Sequence, residues 1–60
     1  MATYKLYRDE QRKFRWSLRS DNNGNIIAVS SEAYDSKQGA EQSIEWVKAN
    51  ANAAKIENET

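Results

Sequence analysis

An α+β fold is predicted for this chain: a three-stranded antiparallel meander with one helix packed on one face. Three features point to it. Residues 3–8 and 13–20 alternate apolar with polar side chains, an Asn-Gly turn leads into a strand at 26–30 that opens on four apolar residues, and from about 36 to 51 apolar residues recur at helical spacing. Strand, strand, strand, helix in 60 residues closes most simply as one small ββα-type domain spanning 1–60, with the helix laid across the sheet.

The first strand, Thr3-Tyr4-Lys5-Leu6-Tyr7-Arg8, puts Tyr4 and Leu6 on one face and Lys5 and Tyr7 on the other. The polar run Asp9-Glu10-Gln11-Arg12 fits a turn. The second strand alternates most cleanly, with Phe14, Trp16 and Leu18 facing the core and Lys13, Arg15, Ser17 and Arg19 facing out. The short connection makes the two antiparallel.

Asp21-Asn22-Asn23-Gly24-Asn25 is the strongest turn signal, because Asn-Gly readily adopts positive φ. The following strand, starting Ile26-Ile27-Ala28-Val29, is apolar on both faces, so its register has two readings. A two-residue turn pairs Leu18 with Val29 and turns Ile27 inward. A three-residue turn ending in a Gly24 bulge pairs Leu18 with Ala28 and turns Ile26 inward. A one-residue slip reverses every side chain, and either reading leaves one isoleucine outside.

Residues 30–35 connect to the helix, which Asp35 or Ser36 can cap; Asp35 with Gln38 approximates a capping box. Ala40, Ile44, Val47 and Ala51 form the stripe expected to cover the sheet. Ala54-Lys55-Ile56-Glu57 is a possible short fourth strand, followed by a mobile end.

Size bounds the function. A chain this short buries only about 60% of the surface its unfolded form exposes, and its core supplies roughly 3–5 kcal/mol. Disulfides, metals or partner subunits usually make up the deficit. With no Cys and no His, disulfides and the common transition-metal sites are excluded. Association is the remedy left.

Nine basic and nine acidic residues balance, so no global field favours DNA or an anionic membrane. No stretch approaches a membrane span, and the N-terminus lacks an apolar leader, which reads as a cytoplasmic protein. The Asn58-Glu59-Thr60 sequon is then a chance match.

Five blocks in one order resemble the YegP-like family, small bacterial and archaeal proteins built on a domain of unknown function. They are Lys5-Leu6-Tyr7-Arg8-Asp9, Phe14-Arg15-Trp16-Ser17-Leu18, Asn23-Gly24-Asn25-Ile26-Ile27-Ala28, Ser31-Glu32-Ala33-Tyr34-Asp35-Ser36-Lys37 and Ile44-Glu45-Trp46-Val47-Lys48. The similarity covers residues 3–57. The chain departs from the family at Ala33, where glycine is usual before the tyrosine, and at Gln11-Arg12, where the first turn often has glycine. The 19–22 stretch is also one residue longer than usual. The resemblance implies either two tandem copies in one chain or one copy that dimerises. One copy here implies a homodimer, and the resemblance brings no catalytic residue.

Catalysis has little to stand on. No His or Cys offers a base or nucleophile near neutral pH, the turn carboxylates Asp9, Glu10 and Asp21 are expected to have ordinary pKa values, and Glu41 with Glu45 reads as a solvated helix face. A calcium loop is suggested by Asp21, Asn23, Asn25 and Glu32 at the right spacing, but Ile26 occupies its obligatory glycine position. No enzyme, metal or cofactor is expected.

Two binding readings remain. Trp46 lies about 100° round the helix from Val47 and about 160° from Ile44, with the small residues Gly39 and Ser43 along its side. Together with Ile26 or Ile27 on the outer sheet face, it is the candidate dimer contact. The alternative is weak single-stranded nucleic-acid binding on the outer face through Lys5, Tyr7, Lys13, Arg15 and Arg19, by phosphate contact and stacking.

Overall fold

The computed structural model describes all of residues 1–60. It contains β1 (Ala2–Arg8), β2 (Phe14–Ser20), β3 (Ile26–Val29) and α1 (Lys37–Asn50), with a 3-10 turn at Ala51–Ala53. The strands form one antiparallel sheet in the order β1-β2-β3. The predicted architecture is thus the observed one.

β1 and β2 pair without a break from Ala2 opposite Ser20 to Arg8 opposite Phe14. Tyr4 therefore sits beside Leu18, and Leu6 beside Trp16, on the inner face. The Asp9 carboxylate organises the turn: one oxygen accepts from the Gln11 and Lys13 amides, both at 2.9 Å, and the other from Arg15 Nε at 2.9 Å. The turn closes through Arg12, held at φ 64°. Left-handed backbone strains a side-chain-bearing residue by about 1–2 kcal/mol, while glycine costs roughly 0.5–1 kcal/mol in chain entropy. Arg12→Gly is accordingly expected to raise stability by about 0.5–1 kcal/mol in urea melts; a loss would show that the Arg12 side chain stabilises the turn.

The second turn is longer than either sequence reading. Ser20 N–H donates to Asn25 O (3.0 Å) and Gly24 N–H to Ser20 O (2.9 Å), enclosing residues 21–24 with Gly24 at φ 71°. Leu18 does pair with Ala28, as in the bulged reading, but the register then slips so that Arg19 opposes Ile26. Ile27 is the extra residue. This shift places Ile26 on the outer face with Arg19 and Val29 instead of turning it inward, and Ile27 is exposed too. Both isoleucines, not one, are left uncovered.

After β3 the chain keeps following β2. Ser30 N–H donates to Trp16 O at 2.9 Å, and Tyr34 and Phe14 exchange both backbone hydrogen bonds (2.7 and 2.8 Å). Ser30 is buried, its Oγ accepting from Trp16 N–H (3.3 Å) and donating to Glu32 O (3.0 Å). Ser36, not Asp35, caps α1, its Oγ accepting from Gly39 N–H at 3.0 Å.

The core is small. Trp16 (7% exposed) and Ala40 (0%) are its only buried apolar residues. Tyr4 meets Trp16 edge to face at 5.4 Å between ring centres. The Trp16 indole donates to Ser43 Oγ at 2.7 Å, and Ser43 donates to Ala40 O at 2.8 Å, tying the helix to the central strand. Gly39, Ala40, Ser43, Ile44 and Val47 make up the covered side of α1, while Ala51, expected in the covering stripe, is exposed like every residue after Val47. The possible strand at 54–57 is not formed: beyond Ala54 no backbone group bonds to the sheet. Pairing needs a neighbouring edge, and the chain brings none to this segment.

Candidate interaction surface

The helix rests on β1 and β2 and does not approach β3. β3 therefore has a free outer edge and no cover on either face. Ile26, Ile27 and Val29 are 54, 59 and 57% exposed. An uncharged, proline-free edge strand is the kind of surface proteins normally blunt or bury. Trp46 adds a 66% exposed indole on α1, and Ile56 is 96% exposed in the C-terminal segment.

The total surface is large for the chain's size, and the wholly exposed segment 51–60 shares in it with β3. The protomer exposes 5205 Å². A closed monomer of 6.9 kDa exposes about 4,000 Å², so about 1,200 Å² is in excess. The Cα radius of gyration is 12.8 Å, against about 10 Å for a compact chain of this length.

Two residues predicted to flank a partner are used inside the protomer instead. Ser43 bonds to Trp16, and a Cβ on Gly39 would lie 3.2 Å from Ser36 Oγ and 3.6 Å from Tyr34 Cδ1. Gly39 and Ser43 therefore face the chain's own sheet and cap, which corrects their assignment beside an open Trp46 surface. Helical phase alone misplaced them because the covered arc of α1 is wider than the 40/44/47 stripe. Val29 and Ile56, by contrast, were not singled out from sequence; an apolar run on both faces of a strand was the available signal.

The basic face is partly neutralised. Register sets Lys5, Tyr7, Arg15, Ser17 and Arg19 on the outer face with Val29 and Ile26. Arg15 is paired with Asp9, and Lys13 with Asp35. Arg19 reaches only the Gly24 carbonyl, at 3.3 Å. Lys5, Tyr7 and Arg19 are what remains for an anionic partner. No group of acidic residues is arranged to hold a metal ion.

Contrary to the sequence expectation, Asp9 does not titrate as an ordinary carboxylate. The hydrogen bond from Lys13 N–H, aided by Arg15, holds it below the usual range, and the bond from Lys13 does the same for Asp35. The same pair raises Lys13. A depressed folded-state pKa contributes stability that is complete above about 4, the unfolded carboxylate value, and is lost as pH falls through the folded value. The Lys13 contribution is complete below about 10 and is lost as pH rises through its raised value. Urea melts from pH 2 to 7 are expected to show an acid limb, and Asp9→Asn to remove about one of its two protons. An unchanged limb would contradict the assignment.

The domain of unknown function DUF1508 matches residues 9–58. The chain belongs to this family. Structure comparison returns the same fold: the NMR solution structure of a protein from Haloferax volcanii is similar, with a TM-score of 0.86 and 47% sequence identity. The likeness covers 95% of this chain and 93% of that one. No curated protein matches. Like the DUF1508 domain itself, the chain is a small structural protein of unknown role. No helix is long and apolar enough to cross a membrane.

Proposed function

We propose that the chain is a non-enzymatic interaction module whose working unit is a homodimer, with β3 at the centre of the contact. The observation that carries this reading is the aliphatic edge strand β3, which the chain's own helix leaves open: Ile26, Ile27 and Val29 are all more than half exposed. Standard interfaces cover about 800 Å² on each partner, which lies within the excess of about 1,200 Å² that the protomer exposes. A second copy supplies what β3 lacks: a strand or helix for its uncovered faces and its free edge. Trp46 and Ile56 are the further exposed apolar groups of the protomer.

Nucleic-acid binding on the outer face is the weaker reading. Two of its five residues, Lys13 and Arg15, are committed to carboxylates, and the same face carries the aliphatic residues of β3.

Light scattering after size exclusion tests the proposal. A mass of twice 6.9 kDa is expected, held from about 1 to 100 µM as a micromolar-or-tighter contact requires. A monomer mass throughout would refute it.

A further inference from the structure

At the opposite edge of the sheet from β3, Leu6, Tyr7, Arg8, Phe14 and Lys37 line an open groove of about 320 Å³. Leu6, Arg8 and Phe14 share the inner face by register, and Lys37 is the first residue of α1. The Arg8 guanidinium lies over the Phe14 ring, 5.0 Å from its centre. That stacking fixes the cation on an apolar support without consuming its hydrogen-bond donors.

Both cations of the groove lack an acidic partner. The chain's ion pairs use the Met1 amino group, Lys13, Arg15 and Lys48. The acidic residues nearest in sequence to Arg8 and Lys37 are Asp9 and Asp35, and these are occupied by Arg15 and Lys13. The first turn of α1 contains no acidic residue either. In a chain of zero net charge, two unpaired cations over an apolar floor form a local anion-attracting site.

We propose that this groove binds a small organic anion, a carboxylate or phosphate ester, whose apolar part lies against Leu6 and Phe14. Arg8 supplies a planar fork of donors for an oxyanion and Lys37 a point charge. The site is on β1, so it is independent of association through β3.

Amide spectra of the ¹⁵N-labelled protein, titrated with phenyl phosphate, benzoate and inorganic phosphate, test the site. Saturable shifts centred on Leu6, Arg8, Phe14 and Lys37 are expected for at least one organic anion at about 10 mM or below, with inorganic phosphate weaker for want of an apolar part. Tighter phenyl phosphate would assign phosphate esters as the ligand class, and tighter benzoate would assign carboxylates. Arg8→Gln and Lys37→Gln should each weaken binding about tenfold, while Lys5→Gln on the other face leaves it unchanged. The Trp16 indole resonance reports whether each variant is folded. No saturable shift, or equal weakening by Lys5→Gln, would overturn the proposal.

Discussion

Trp16→Ala is expected to leave no stable folded protomer. Trp16 is the large side chain at the centre of the core, packed against Tyr4 and bonded to the helix through Ser43. Truncating a buried tryptophan costs about 3–5 kcal/mol, and a core of this size supplies roughly the same amount. The Ser43 link goes with it, releasing α1 from β2. Circular dichroism at 25 °C should show a largely unfolded chain. Trp16→Phe keeps most of the packing and loses only the indole hydrogen bond, so it should remain folded but melt earlier. A Trp16→Ala variant that melts cooperatively near the wild-type midpoint would mean that the core lies elsewhere.

The second large effect is on association. Ile27 and Val29 are more than half exposed in the protomer, so charged substitutions there cost the isolated fold little, within about 0.5 kcal/mol. Burying each in an interface is worth about 1.5–3 kcal/mol. Ile27→Lys with Val29→Lys should therefore weaken the dimer by at least about a hundredfold. The expected result is a monomer mass at micromolar concentration with the Trp16 indole resonance retained. Tyr7→Lys, on the outer face but on β1, is the control and should leave the dimer intact. A double variant that stays dimeric would place the contact elsewhere, with Trp46 the next residue to substitute.

The elements that were legible in the sequence are those governed by short-range rules. Alternation in 13–20 set the inward residues Phe14, Trp16 and Leu18, and alternation in 3–8 set Tyr4 and Leu6 on the face they share with them. The spacing of Ala40, Ile44 and Val47 marked the covered face of α1. The β3 register was not legible, because a strand apolar on both faces gives alternation nothing to distinguish, and the irregularity at Ile27 combines the Leu18–Ala28 pairing of one reading with the outward Ile26 of the other. Nor were the roles of Ser30 and Ser43. Their hydroxyls bond to Trp16 from distant points in the chain, a tertiary arrangement that local composition does not encode. The groove at Arg8 and Lys37 likewise depends on where the helix begins relative to β1. Trp46 was legible as an exposed anomaly, though its small neighbours were assigned to the wrong side.

In the proposed dimer, β3 completes itself against a second copy. Mixing ¹³C-labelled with unlabelled protein and recording filtered nuclear Overhauser spectra tests this at the level of single methyl groups. Contacts are expected from the Ile26, Ile27 and Val29 methyls of labelled chains to protons of unlabelled ones. A dimer in which those methyls show contacts only within their own chain would contradict it, as would a sample that remains monomeric.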